Sequence, residues 1–441
     1  MERAFRKLWP EGHVVATLAL LMGQASVSYA AEDGLPESRY TATTTLFSDL
    51  THTRYENDSD TRAGAGISGD VGAEFSSGPH SLIGRYGASL ETERSSLGRS
   101  DDDNFWLRGS SSYNYFEPGS RFDFNAGHTI RSVRNDTGFA VDNFDYDTQN
   151  AVSAGAGVNF YPGDLTTFRV SGQGGKTWEE GDVPDGESVS ANATLTRQVS
   201  ELSSVFLMAT RAWEEQEDTN DITLDSVSVG LQSLLEDGSF NLSVGLSRAE
   251  SNGFENEAII GSLARVWSTD LTSTRFSYDR TQSSTLLDLA LGPIAGPGFE
   301  DEFSIRYQGV TVRDQVTFAH SSSRFCDLCT VRVIAQAAQE EEVATSDETW
   351  QYLAGLGVGF EVAELKTLDF DYRWQADALE ERGEIDDALH RFSVTYRHQL
   401  TELATWGTSF ETAVTRGFTD EEEYRAKVFV TLGWDGMESA W

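Results

Sequence analysis

Thr367-Leu368-Asp369-Phe370-Asp371-Tyr372-Arg373-Trp374-Gln375-Ala376-Asp377 changes character at every step. Leu368, Phe370, Tyr372, Trp374 and Ala376 fall on one side of an extended chain; Asp369, Asp371, Arg373, Gln375 and Asp377 fall on the other. Successive side chains of a strand point to opposite faces, so this stretch reads as a strand with one apolar and one charged face. The period is two, not 3.6. It recurs from about residue 38 to residue 434. Phe240, Leu242, Val244 and Leu246 alternate with Asn241, Ser243, Gly245 and Ser247; Phe122, Phe124 and Ala126 alternate with Arg121, Asp123 and Asn125. Tyr424, Ala426, Val428, Val430, Leu432 and Trp434 repeat it near the end. Such strands build either an antiparallel sheet with one wet face or a barrel in lipid with a polar lumen.

The connections separate these two architectures. Short turns rich in Gly, Pro and Asp (Ser77-Gly78-Pro79, Glu117-Pro118-Gly119, Tyr161-Pro162-Gly163-Asp164, Glu236-Asp237-Gly238, Ser268-Thr269-Asp270) alternate with longer acidic segments at 95–103, 134–147, 179–187, 214–221, 379–387 and 419–423. Outer-membrane barrels have short periplasmic turns and long outer loops. The expected fold is therefore all-β: a transmembrane antiparallel up-and-down barrel of about 20 strands (about 18–22). Its connections are short periplasmic turns and longer acidic extracellular loops. Within residues 299–342, Glu302 to about His320 reads as one strand, a Cys-containing turn follows, and Thr330–Gln339 reads as the next. The apolar stretch 286–298 reads as a loop that either folds inward or rests on the membrane.

Composition excludes other classes. The 441 residues carry 71 acidic and 33 basic side chains, a formal net charge of −38, which repels phosphates and argues against a nucleic-acid partner. With 25 Phe, 14 Tyr and 10 Trp the chain is too rich in large apolar groups for simple disorder. After residue 31 no run is long and apolar enough for a membrane helix. Residues 1–30 read as a secretory signal: Arg3, Arg6 and Lys7, the apolar run Val14 to Met22, then Ser28-Tyr29-Ala30. Residues 31–441 read as a single barrel domain.

Little in the sequence points to catalysis, a cofactor or a metal, and none of the three is expected. His52, His80, His128, His320, His390 and His398 are scattered, and no nucleophile or zinc motif accompanies them. Cys326 and Cys329 form a CxxC without a redox-fold context; a local disulfide bracing a turn is the expected reading. Asp101-Asp102-Asp103 and the other acidic runs lack calcium-loop spacing and read as solvated surface. The lumen is more informative. Arg85, Glu91, Arg121, Asp123, Arg131, Arg275, Asp279, Asp369, Asp371, Arg373, Arg391 and Arg397 have the parity of interior residues, because charges in a barrel wall face its interior. Such rows either line a polar pore or pair across the lumen and close it.

At this point the chain resembles the β-barrel porins found with exopolysaccharide operons and the PEP-CTERM/exosortase system of Gram-negative bacteria. The resemblance rests on Arg54-Tyr55-Glu56-Asn57-Asp58, on Thr272-Ser273-Thr274-Arg275-Phe276-Ser277-Tyr278-Asp279-Arg280, and on the aromatic stretches 392–398 and 427–434. It implies an outer-membrane location and a role beside polysaccharide secretion, and it supplies no catalytic residues. The expected function is a passive pore or conduit; the alternative is a non-transporting structural or surface-interaction barrel with an ion-paired, closed lumen. The expected partners are outer-membrane lipid and lipopolysaccharide, the barrel assembly machinery, and polysaccharide or small polar solutes. A barrel this wide can stand alone as a monomer.

Overall fold

A computed structural model of the chain describes residues 37–55, 58–95, 101–117, 120–134, 147–179, 185–216, 221–251, 254–284, 303–304, 309–326, 328–379, 385, 387–417 and 420–438. The signal expected at 1–30 and the apolar stretch 286–298 lie outside the described residues. The strands in chain order are β1 (Glu37–Tyr55), β2 (Ser59–Ser77), β3 (His80–Ser95), β4 (Asp101–Phe116), β5 (Phe122–Arg134), β6 (Asp147–Gly163) and β7 (Thr166–Glu179). They continue with β8 (Gly186–Ser200), β9 (Ser203–Gln216), β10 (Ile222–Leu235), β11 (Gly238–Ser251), β12 (Phe254–Ser268), β13 (Thr272–Ser284) and the two-residue β14 (Phe303–Ser304). The last are β15 (Val310–Ser322), β16 (Cys329–Glu342), β17 (Glu348–Ala363), β18 (Lys366–Leu379), β19 (Asp387–Thr401), β20 (Ala404–Arg416) and β21 (Glu421–Glu438).

All but β14 join one antiparallel, next-neighbour sheet, and β1 pairs with both β2 and β21. The sheet is thus a closed 20-stranded barrel, whose strands protect their lateral edges by pairing around the ring. Register fixes the faces, because residues opposite each other on paired strands share one. Leu46 stands opposite Ile67 and Val430, and all three are exposed at 54%, 44% and 41%. This exposed apolar belt, continued by Leu90, Val227, Leu246 and Ile259, is the outer face. Small polar and charged groups take the other face.

Aromatic rings seated on glycine lock the register in several places. Phe47 faces Gly66, Phe206 faces Gly230, and Phe429 faces Gly407. A Cβ on Gly66 would meet the Phe47 ring and come within 2.7 Å of the Leu90 carbonyl oxygen, so the ring covers a position where only hydrogen fits.

The two ends differ. At one end strands meet through tight turns, as at Gly78 (φ 55°), whose left-handed backbone suits a residue without Cβ. There Arg265 donates to Asp237 at 2.6 Å, and that hydrogen bond holds the Asp237 carboxyl below the ordinary aspartate range. Cys326 and Cys329 are disulfide-bonded at the same end, Cα atoms 5.3 Å apart; so small a ring stabilises the fold little. Strict short–long alternation does not hold. At the opposite, loop end, Ser251 and Phe254 are separated by only two residues, and 343–347 link β16 to β17. A second expectation also fails: Glu302 to His320 is not one strand, because Phe303–Ser304 pair with Val133–Arg134 of β5 whereas the strand paired with β13 begins at Val310.

The outer face is not wholly apolar. Arg211, Asp225, Arg248 and Glu257 form one cross-strand row on β9–β12. Arg211 lies 3.5 Å from Asp225 and Arg248 lies 2.9 Å from Glu255. Charges on a barrel's lipid face cost about 2–4 kcal/mol at mid-bilayer and about 0–1 near the interface. The row therefore marks the top of the apolar belt on this side, with Trp213 beside Arg211.

Candidate functional site

The candidate site is the barrel interior. Carried around the closed sheet, the register puts Arg85, Glu91, Arg121, Asp123, Arg131, Arg275, Asp279, Asp369, Asp371, Arg373, Arg391 and Arg397 on the face opposite the apolar belt. They do not form one cluster. Arg397 donates to Asp369 at 2.6 Å, and Arg373 stands directly opposite Arg391. Asp371 accepts from Arg332 at 3.1 Å, and Arg391 lies 3.3 Å from Glu411. These make one charged panel on β16–β20. Across the interior, Asp123 accepts from Arg169 at 2.7 Å and from Asn159 at 3.2 Å, while Arg131 donates to Gln149 at 3.1 Å. Arg85, near the turn end of β3, and the Arg275/Asp279 pair on β13 stand apart from both.

The most buried ionic group joins the barrel's first and last strands. Arg425 on β21 donates through Nε to Asp49 on β1 at 2.6 Å and through a terminal nitrogen to Glu91 on β3. The Asp49 and Glu91 side chains are 0% and 3% exposed. Lys427 caps the Phe47 ring at 3.6 Å. Gly66 between Phe47 and Glu91 makes room for this network. Of these residues the sequence reading singled out only Glu91. Arg425 and Lys427 alternate with Tyr424, Ala426 and Val428, so the same parity rule would have found them.

The remaining interior wall, on β8–β12, carries mainly hydroxyl and amide groups instead. Asn192 donates to Thr210 at 3.0 Å and accepts from Thr194 at 2.7 Å; Ser243 and Ser262 meet at 2.8 Å. Near the loop end this wall turns apolar: Ala212, Ile222, Leu224, Ala249 and Ala258 are buried although register places them inside. What covers them is the end of β15. Val310 and Val312 pack in the same buried cluster. Among the described residues no group of three or more His, Cys, Asp or Glu is placed to hold a metal ion.

No family model matches the sequence, and no curated protein does. Several solved structures match most of the chain at low identity. OccK5 (OpdH) of Pseudomonas aeruginosa matches at TM-score 0.37 and 13% identity, over 90% of this chain and 98% of its own. The siderophore receptor PirA of the same organism gives 0.46 and 10%, over 90% and 80%. The FrpB iron transporter of Neisseria meningitidis gives 0.47 and 7%, over 88% and 81%. Location follows from this chain's own architecture. A closed antiparallel barrel with an apolar outer belt and a polar interior belongs in the outer membrane of a bacterium.

Proposed function

We propose that this chain is a passive pore or conduit associated with exopolysaccharide secretion, with its tight turns in the periplasm and its acidic loops outside. One observation carries the pore reading. The interior ion pairs described above, from Arg397–Asp369 to Arg425–Glu91, join strands within three positions of each other along the wall. Pairs of that kind stiffen the wall and do not themselves bridge the lumen. The hydroxyl and amide wall of β8–β12 supports a neutral, hydroxyl-rich solute, because it offers hydrogen bonds with little of the charge that would retain an ion.

The test is planar-bilayer conductance of the refolded protein, with neutral oligosaccharides added to either side. Stable channels that sugars block support the conduit. A folded barrel that never conducts supports the alternative of a structural or surface-interaction barrel. Channels indifferent to sugars remove the polysaccharide part alone.

A further inference from the structure

Among the described residues the pairing of β12 with β13 stops short of the loop end. Their pairing runs from Ser268↔Ser273 only to Gly261↔Arg280, although β12 continues to Phe254 and β13 to Ser284. Among the described residues no other strand pairs with that edge of β12. Arg280 covers the parting, donating to the Ile259 carbonyl at 3.0 Å and to Asp314 at 2.6 Å.

Beyond the parting, β13 and β15 lie inside the wall. Gln282 and Val312 have outer-face parity, yet Gln282 donates to the interior residue Asn256 at 2.9 Å, and Val312 packs on interior residues of β9–β12. Ser284 reaches Glu214 on β9, three strands from β12 and about 14 Å along the wall. This explains why Ile222 and Leu224 are apolar on a largely polar face: they are the seat for Val310 and Val312.

We propose that the loop ends of β13 and β15 form a strap that sets the width of the lumen and has a second resting place in the wall. Extending the Gly261↔Arg280 register would place Gln282 opposite Ile259 and Ser284 opposite Glu257, completing the sheet and clearing the lumen. The strap is thus the size-determining element of the channel, a role that rests on the pore reading above.

Ser284 tests both positions. In the full-length chain with Cys326→Ser and Cys329→Ser, one variant carries Glu214→Cys with Ser284→Cys, and a second carries Glu257→Cys with Ser284→Cys. Both pairs should cross-link on oxidation. The first should hold conductance at its basal value; the second should raise it by about twofold or more, reversibly with reductant. Val312→Asp, which expels the strap from its apolar seat, should raise conductance without any cross-link. A conducting barrel in which Glu257→Cys/Ser284→Cys never cross-links, or cross-links with no change in conductance, overturns the strap. A silent wild type in which both pairs cross-link overturns the pore reading and leaves the strap's two positions standing.

Discussion

Arg425 Nε lies 2.6 Å from Asp49 Oδ2, so a guanidinium on the last strand is bonded to a carboxylate on the first. The same guanidinium reaches Glu91 on β3, tying the closing strand to the two strands that bracket β2. Removing one partner of a buried ion pair typically costs about 3–5 kcal/mol, because a charge is left without compensation. Arg425→Ala should therefore lower the temperature at which the folded, fast-migrating gel band converts to the unfolded one. Asp49→Asn combined with Glu91→Gln in the same background should recover part of the loss. An unchanged transition in Arg425→Ala would show that closure does not depend on this group.

Overpacking gives a second prediction. A methyl group at Gly66 meets the Phe47 ring and the Leu90 carbonyl oxygen. Gly66→Ala should destabilise the barrel by about 1–3 kcal/mol in urea unfolding from lipid vesicles, and Phe47→Leu should recover the part due to the ring. A neutral Gly66→Ala would mean the ring moves aside freely.

The third concerns the outer belt. Val71 is 57% exposed on the outer face, and its neighbour in the same strand, Asp70, faces inward. Val71→Arg should cost about 2–4 kcal/mol in vesicle refolding, whereas Ser68→Arg, on the interior face, should cost far less. Equal costs would contradict the assignment of the two faces.

Ion selectivity reports on the interior panel. Arg397→Ala removes the cation paired with Asp369, and Arg373→Ala removes one of two opposed guanidiniums. Both should shift the reversal potential under a salt gradient toward cations, more strongly at low than at high ionic strength. An unmoved reversal potential would take these residues out of the conduction path.

Much of the fold is legible in single strands. The alternation at Leu368, Phe370, Tyr372 and Trp374 lies within β18, and the same rule applied to each strand gives the barrel and its two faces. What it could not show depends on register between strands. The seating of Phe206 on Gly230 joins residues 24 apart, and neither carries a local signal for the other. The strap escaped for a different reason. Val310, Val312 and Gln282 keep a regular alternation, and only the loss of pairing beyond Gly261 reveals that their outer face is turned onto an inner one. Ile222 and Leu224 were the available hint, being apolar where interior parity calls for polar groups. Arg211 and Arg248 mislead in the opposite sense, since charge usually marks the interior and here marks the edge of the apolar belt.

The central claim is that the interior is an open path. Single-channel recording of the refolded protein in a planar bilayer, with a heat-modifiability gel on the same sample to verify folding, tests it most directly. An open interior should give a stable conductance with defined ion selectivity. A preparation that is folded by the gel yet shows no conductance at any voltage would contradict it.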